Sequence, residues 1–308
     1  MIKKTLYFGN PSYLGLRQAQ LAIRQPEALD SKRENERTIP IEDIGVVVLD
    51  HQQITITHGA LCALSEANVA VITCGQDHMP LSLQLNLHGH HVQQEIFRHQ
   101  LDSSVPLRKN LWMQVIQAKI RNQAAVLRQQ GTPAEGLLAL AREVRSGDPD
   151  NNEAQAAAYY WKRVFPESLD FVRHREGAPP NNLLNYGYAI LRAVVGRSLV
   201  ASGLLPTLGI HHHNRYNAYC LADDMMEPFR PFVDGLVSGL VHEGGRDLAM
   251  LSTELKGVLL KVPTLDVLMD GEKSPLMVAV QRTTASLARC FQEQEKRLVL
   301  PALPDAGP

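Results

Sequence analysis

Residues 81–100 read LSLQLNLHGHHVQQEIFRHQ, and the pattern of apolar residues changes within this stretch. Over 81–87 every second residue is leucine, which is the two-residue period of a half-buried β-strand. After residue 88 the chain becomes rich in Leu, Ala, Gln and Arg, and its apolar residues recur at helical spacing. The stretch therefore marks a change from β-rich to helical chain and predicts the α+β fold class.

The chain before this boundary predicts a small β-rich N-terminal domain over 1–88. Residues 38–50, TIPIEDIGVVVLD, contain a continuous apolar run that indicates a buried strand. Residues 69–74 predict the next strand. Between these two strands, Thr57 suits the N-cap of a short helix, and Asn68 suits its left-handed C-terminal end.

The chain after the boundary predicts a larger, all-α C-terminal domain over 89–296. Helical periodicity is evident in residues 111–130, LWMQVIQAKIRNQAAVLRQQ. Residues 183–206, LLNYGYAILRAVVGRSLVASGLLP, are apolar on nearly every helical face, so we expect them to form a central core helix. The last residues, 297–308, end in LVLPALPDAGP and predict a flexible tail.

The composition is that of a soluble globular protein: 44% of the 308 residues are apolar and 20% are charged. The four cysteines lie far apart without a CxxC pair, which argues against a zinc ribbon or a redox motif. No apolar signal core follows the two N-terminal lysines, and no apolar run is long enough to span a bilayer. We therefore expect a cytoplasmic protein without a membrane partner.

Positive charge is concentrated in two segments, although the net charge of the chain is only −1. Residues 98–130 contain six basic residues and a single acidic one, and a second basic cluster lies within 162–175. The near-neutral total argues mildly against strong general binding of nucleic acids. The two segments are compatible either with solvated helix faces or with a surface that binds DNA phosphates.

The first candidate for chemistry is an acidic segment, DPDNNE, over 148–153. Asp150 or Asn151 can cap the helix that follows, which places Glu153 in its first turn. A glutamate in a first turn usually serves only the helix dipole. The local pattern alone therefore favours a structural role for Glu153.

The second candidate combines HHHN at 211–214 with DDMMEPFR at 223–230. In a helix, Asp224 and Glu227 lie three residues apart on one face, and Asp223 lies four residues before Glu227. Carboxylates with an imidazole suit Mg²⁺ or Mn²⁺. Two alternatives stay open at this stage: the acidic turn is paired with arginines such as Arg230, or the histidines form a surface loop. A zinc site of three consecutive histidines is disfavoured, because adjacent side chains do not easily converge on one ion.

Several long motifs closely resemble the CRISPR adaptation integrase family, the Cas-one endonucleases. These are the stretch 38–80, NEAQAAAYYW at 152–161, the core helix at 181–206, and LGIHHHNRYNAYCLADDMMEPFRPFVD at 208–234. The motifs occur in the family's order, and the resemblance runs from about residue 3 to residue 289. The motif DMMEPFRP at 224–231 resembles the form of this motif found in the family members of type II systems.

The resemblance implies a catalytic metal site whose ligands are Glu153, His212 and Glu227. His211 is the neighbour with which His212 is most easily confused. Asp224 is also an acidic position in the family and is expected to support the site. A weaker expectation is that Asn181 and Asn185 orient the ligands.

The resemblance also implies the activity and the partners. The C-terminal domain is expected to be catalytic and to use Mg²⁺ or Mn²⁺, joining the 3′-hydroxyls of spacer DNA to the repeat array by transesterification, or cutting DNA by hydrolysis. The partners implied are double-stranded DNA, a second copy bound through the N-terminal dimerisation domain, and a small second adaptation protein that completes a hetero-hexamer.

Two other classes of function remain as alternatives. In one, the chain is a non-catalytic scaffold that binds DNA ends, and its acidic cluster is structural. In the other, it is a small-molecule metallohydrolase that uses the histidine triplet and has no affinity for DNA. Loss of DNA binding on mutation of Glu227 would favour the scaffold, and stoichiometric zinc would favour the metallohydrolase.

Overall fold

The computed structural model describes residues 3–26 and 36–304. The chain divides into two compact units, Met1–Gly89 and His90–Pro308. The first unit ends one residue beyond the N-terminal domain that the sequence predicts. The first unit is rich in strands and the second is mainly helical, so the predicted α+β class is confirmed.

The described part of the N-terminal unit contains two four-stranded sheets. Its elements in chain order are β1 (Lys4–Phe8), β2 (Ser12–Arg17), β3 (Gln20–Arg24), β4 (Arg37–Pro40), β5 (Ile44–Leu49), β6 (Ile54–Ile56), α1 (His58–Glu66), β7 (Ala70–Cys74) and β8 (Pro80–Gln84). The first sheet has the order β1-β5-β7-β8, in which only β8 pairs in the antiparallel sense. The second sheet has the order β4-β3-β2-β6, in which β2 and β6 are parallel.

Apolar side chains from both sheets and from α1 form the core of this unit. Leu14 and Leu21 contribute from the second sheet, Ile44 and Val47 from the first, and Leu64 from α1. The predicted buried strand is confirmed, since β5 contains the apolar run and lies between two paired strands. Five consecutive residues of β5 are buried, so side chains on both faces of the strand are covered, which is why its sequence does not alternate.

The ends of α1 also match the sequence prediction. The Thr57 side chain accepts a hydrogen bond from the backbone N–H of Ala60, which satisfies one of the free donors at the helix start. Asn68 has φ of 53°, the left-handed conformation that ends the turn after α1. The predicted strand at 81–87 is shorter than expected, because β8 ends at Gln84.

The described part of the C-terminal unit is built around a long buried helix. Its elements are α2 (Gln93–Asp102), α3 (Val105–Gln129), α4 (Glu135–Glu143), α5 (Asn152–Trp161), α6 (Asn181–Ala201), α7 (Cys220–Met226), α8 (Arg230–Glu243), α9 (Thr253–Leu259), β9 (Asp266–Met269), β10 (Glu272–Pro275) and α10 (Leu276–Phe291). The α6 helix packs against α7, α8, α9 and α10, as expected for a helix that is apolar all round. None of the helices in the described ranges combines the length and apolar character needed to cross a bilayer.

Two features of this unit differ from the sequence prediction. A short antiparallel hairpin, β9–β10, lies within the otherwise helical unit. Residues 297–304, which we expected to belong to a flexible tail, are packed: the Asn122 side chain donates to the carbonyl of Pro301 at 3.1 Å and accepts from Leu303 N at 2.9 Å. Buried partners on α3 therefore fix this segment. Residues 305–308 lie outside the described residues.

Candidate active site

Two glutamates from distant parts of the sequence converge on one lysine in the C-terminal unit. The Lys119 ammonium on α3 lies 2.6 Å from Glu153 Oε1 and 2.6 Å from Glu227 Oε2. The Lys119 and Glu227 side chains are nearly fully buried, whereas that of Glu153 is about a quarter exposed. Tertiary packing thus brings together two of the three side chains that the sequence singled out.

Glu153 is held in the first turn of α5, as its position in the sequence predicts. Asn151 occupies the N-cap position of α5, as one of the two predicted residues, but its side chain makes no capping hydrogen bond. Asp148 accepts from the backbone N–H groups of Asn152 at 2.9 Å and Glu153 at 3.0 Å. The helix start is therefore predicted correctly, but the capping hydrogen bonds come from Asp148, across a turn that is left-handed at Asn151, with φ of 54°.

Glu227 begins a short 3₁₀ turn, Glu227–Phe229, between α7 and α8. Its Oε1 atom lies 3.0 Å from Arg230 Nε, so each carboxylate oxygen of Glu227 faces a different cation. Burial by itself would raise the pKa of Glu227, but the charges of Arg230 and Lys119 outweigh it and hold that pKa below its usual value. Burial likewise opposes the charge of Lys119, yet the attraction of Glu227 and Glu153 raises the pKa of Lys119. Glu227 is therefore held as a carboxylate and Lys119 as an ammonium.

His212 is fixed by a buried aspartate. Asp224 Oδ1 lies 2.5 Å from His212 Nδ1, and the two carboxylate oxygens also accept from the backbone N–H groups of His211 and His212. The hydrogen bond to Asp224 raises the pKa of His212, and the charges of Glu227 and Glu153 add to that effect. Because Nδ1 is occupied, Nε2 is the nitrogen that remains for a ligand or a proton.

Gly209 makes the close approach of this loop possible. A Cβ atom at residue 209 would lie 2.4 Å from the His212 carbonyl oxygen and 2.7 Å from Asp224 Oδ2. Both distances are shorter than carbon–oxygen contacts allow. A glycine is therefore required for the backbone of the histidine loop to fold against Asp224.

Trp112 on α3 contacts the two adjacent histidines in different ways. Its ring stacks on His211 with centroids 4.1 Å apart and an interplanar angle of 2°, and it meets His212 edge to face at 5.6 Å. Burial lowers the pKa of His211. His211 is thus packed against an aromatic ring, while His212 carries the contact with Asp224. The sequence does not single out Trp112, because a tryptophan on an amphipathic helix has the pattern of a core residue.

Asp223 and Asp224 are neighbours in sequence but have separate partners. Asp223 accepts from Arg192 Nε at 2.7 Å and from Asn217 at 2.6 Å. Asp224 is fully buried and supports His212, as the family resemblance implies. Adjacent residues on the short α7 helix necessarily point in different directions, so only Asp224 reaches the histidine loop.

Asn181 and Asn185 hold an arginine rather than a candidate ligand. Their side-chain oxygens accept from Arg173 at 2.7 and 2.8 Å. The Arg173 guanidinium lies 5.4 Å from the centre of the Tyr188 ring. Among the described residues, the two asparagines therefore contact Arg173 and make no direct hydrogen bond to either glutamate.

Tyr188 links this arginine to the glutamate cluster. The guanidinium of Arg230 lies 4.8 Å from the ring centre of Tyr188, and the Tyr188 hydroxyl hydrogen-bonds to the buried Asp234. Burial raises the pKa of Asp234 to about 7. The aromatic ring and the ion pair together fix Arg230 beside Glu227.

The donor atoms suit a hard divalent cation. Within residues 3–26 and 36–304, no three or more His, Cys, Asp or Glu side chains already stand at mutual metal-ligand distances. Glu153 and Glu227 nevertheless both contact one positive charge, the Lys119 ammonium. The hydrogen bond between His212 and Asp224 involves Nδ1 of the imidazole and not Nε2. Two carboxylates built around a cation, with an imidazole nearby, fit Mg²⁺ or Mn²⁺.

A groove of about 360 Å³ opens beside His212. Its lining includes Arg108 and Arg215. Of the basic residues in 98–130, Arg98, Lys109, Arg121 and Arg128 are exposed, whereas Lys119 is buried in the glutamate cluster. The basic segment therefore supplies both a surface that can bind phosphates and one internal cation.

Most of the chain is similar to proteins of one known family. The family model described as "CRISPR associated protein Cas1" matches residues 6–270. The chain is 36% identical to the CRISPR-associated endonuclease Cas1 of Neisseria meningitidis serogroup C (strain 8013), over 98% of this chain and 97% of that one. It also shares its fold with two solved structures: a casposase bound to integration product (TM-score 0.76, 20% identity, 97% and 92% covered) and a Cas6-RT-Cas1–Cas2 complex (TM-score 0.73, 20% identity, 98% and 36% covered).

Proposed function

The chain belongs to the Cas1 family of CRISPR-associated proteins, and from that premise we propose that it is a metal-dependent endonuclease and DNA integrase of CRISPR adaptation. The observation that carries the proposal is the convergence of Glu153 and Glu227 on a single cationic position, 2.6 Å from each. The same two glutamates and His212 are the ligands that the family motifs imply. The relative from Neisseria meningitidis carries the word endonuclease in its name, and one protein of the same fold is a casposase bound to integration product.

We propose that Glu153, Glu227 and His212 hold a Mg²⁺ or Mn²⁺ ion. Such an ion, when bound, polarises a phosphodiester and stabilises the charge that develops at phosphorus. Asp224 fixes the His212 ring so that Nε2 is available, and Arg230 fixes Glu227. The protein thereby presents ligands that need little reorganisation.

The reaction proposed is transesterification, in which a DNA 3′-hydroxyl attacks a phosphodiester of the repeat. One phosphodiester replaces another, so no nucleotide triphosphate is consumed. With water as the nucleophile the same residues support hydrolysis, which is the nuclease activity. If His212 is not a ligand, its Nε2 can accept or donate the transferred proton instead.

Exposed arginines and lysines of α2 and α3, with the groove beside His212, are proposed to bind the DNA backbone. Contacts of this kind are salt-dependent and largely independent of sequence.

The proposed assembly is a homodimer formed through the N-terminal unit. Two dimers bridged by the small second adaptation protein form a hetero-hexamer in the cytoplasm. A solved complex of the same fold contains Cas2, which supports that partner. The similarity to the Neisseria meningitidis protein supports a type II system.

The experiment that tests this function is strand transfer. The protein and its small partner are mixed with a duplex bearing free 3′-hydroxyls and a supercoiled plasmid that carries a repeat array, in Mg²⁺, Mn²⁺ or EDTA. We expect joined product with the metals and none in EDTA, and none with Glu227→Gln although that variant still binds DNA. Tight DNA binding without product under any condition would support the non-catalytic scaffold instead.

A further inference from the structure

Lys119 is an internal cation at the centre of the glutamate cluster. Only 9% of the surface of Lys119 is exposed, although lysine is among the residue types least often buried. Its side chain links three elements far apart in the sequence: α3, which carries it, the first turn of α5 and the 3₁₀ turn after α7. The family motifs did not assign a role to it, and the sequence placed it with the basic residues of a surface.

Both carboxylate oxygens of Glu227 already face a cation. Oε1 faces Arg230 at 3.0 Å and Oε2 faces Lys119 at 2.6 Å, and the Glu227 side chain is 4% exposed. A Mg²⁺ ion at ligand distance from Glu227, about 2.0–2.1 Å, would therefore lie next to one of these cations. Two positive charges this close repel strongly in a partly desolvated site.

Lys119 is the cation better able to leave. Arg230 is held by Glu227 and also lies over the Tyr188 ring at 4.8 Å. Its planar guanidinium is fixed by both contacts. Lys119 ends in a compact ammonium on a flexible four-carbon chain, and its two contacts are with the same carboxylates that a metal would bind.

We propose that Lys119 occupies the position between Glu153 and Glu227 that the divalent cation takes, so that metal binding is an exchange in which the ion displaces the Lys119 ammonium from both carboxylates. This inference rests on the proposed function, because it concerns the same metal. In the metal-free protein the ammonium prevents the repulsion of two facing carboxylates and keeps them at a common position. The same contact makes metal binding weaker than the carboxylates alone would allow.

The test measures Mn²⁺ binding to the full-length protein by isothermal titration calorimetry, without DNA. The variant is Lys119→Met, which keeps the length of the side chain and removes its charge. We expect Mn²⁺ to bind this variant roughly tenfold or more tightly than the wild type, because the repulsion between the two cations is gone. We also expect the metal-free variant to melt at a lower temperature and Mn²⁺ to raise its Tm by more than that of the wild type.

A second signal localises the binding event. The chain has two tryptophans, and in a Trp161→Phe background the fluorescence comes from Trp112, which contacts both His211 and His212. The change in Trp112 fluorescence should follow the calorimetric isotherm in both proteins. The matched control is Lys261→Met, which removes an exposed lysine charge elsewhere in the same unit and should bind Mn²⁺ as the wild type does.

The outcomes separate this inference from the proposed metal site. Mn²⁺ binding that is lost in Glu227→Gln but equal, or weaker, in Lys119→Met compared with the wild type overturns the exchange and leaves the metal site standing. A wild type that binds Mn²⁺ no better than Glu227→Gln overturns both. If Lys119→Met does not fold, Lys119→Gln, which is neutral but can still donate hydrogen bonds to the carboxylates, must show the tighter binding.

Discussion

Two aspartates, one in each unit, hold Nδ1 of a partly exposed histidine, and only one of these pairs lies in the candidate site. Asp50 lies 2.9 Å from His78 in the N-terminal unit, and Asp224 lies 2.5 Å from His212 in the C-terminal unit. Both carboxylates are 0% exposed as side chains, and the histidines are 58% and 42% exposed. In distance and in burial, the two aspartate–histidine pairs are similar.

The difference lies in what else surrounds each pair. The second oxygen of Asp50 accepts from the Tyr7 hydroxyl at 2.6 Å, so this network joins β1 to the residue after β5 and to the turn between β7 and β8. Burial raises the pKa of Tyr7. The His212 pair instead adjoins two further carboxylates, whose charges act on the imidazole. An aspartate–histidine pair is therefore a candidate for reactivity only where other ionised groups lie near it.

The largest effect expected is the loss of strand transfer in His212→Ala, by about 10²–10⁴-fold, because this change removes a proposed metal ligand or proton-transfer group. The matched change, His78→Ala, should leave the rate within about twofold, since the His78 side chain hydrogen-bonds to Asp50, far in sequence from the three proposed ligands. Initial rates of plasmid joining would measure both. Equal losses in the two variants would contradict the distinction drawn between the pairs.

A smaller effect is expected from changing the aspartates. Asp224→Asn should reduce Mn²⁺ affinity or strand transfer by about 10–100-fold, because the asparagine no longer fixes the His212 ring and tautomer by charge. Asp50→Asn should cost stability but leave Mn²⁺ affinity unchanged. Calorimetric titration and urea unfolding of the two variants would measure this. A metal affinity that falls equally in both would show that general loosening of the protein is the cause.

Tyr7→Phe sharpens the comparison from the structural side. It removes the hydroxyl that donates to the buried Asp50, which should lower the free energy of unfolding by about 1–3 kcal/mol. Strand transfer per folded molecule should not change. Chemical denaturation together with a joining assay at a temperature well below the transition would check both statements. A loss of activity without a loss of stability would place this network in the reaction.

The smallest effect expected is a pH dependence of stability. Because the folded-state pKa of His212 is raised, its pair with Asp224 stabilises the fold fully below the unfolded pKa of histidine, and this contribution is lost as pH rises through the folded pKa. Since the imidazole is 42% exposed, the contribution should be about 1 kcal/mol or less. The difference in unfolding free energy between the wild type and His212→Gln should therefore be larger at about pH 5.5 than at about pH 9. A difference that grows with pH would have the wrong sign.

The fold could be predicted from the sequence where the pattern is local. The strand β5, the cap at Thr57 and the buried helix α6 were all evident, because burial on both sides, a capping side chain and an all-apolar surface each leave a mark on adjacent residues. The packed segment 297–304 was missed because its partner, Asn122, lies far away in the sequence.

The candidate site divides in the same way. The family motifs named Glu153, His212 and Glu227 from the sequence alone, and these residues remain the proposed ligands. The sequence did not show that Lys119 lies between the glutamates, that Asp148 supplies the capping hydrogen bonds of α5, or that Asp223 and Asp224 have different partners. The residues next to a lysine in a basic segment do not indicate whether its side chain is exposed or buried. Only the packing of α3 against α5 and the turn after α7 decides which carboxylates it meets, because those contacts join residues that the chain itself keeps far apart.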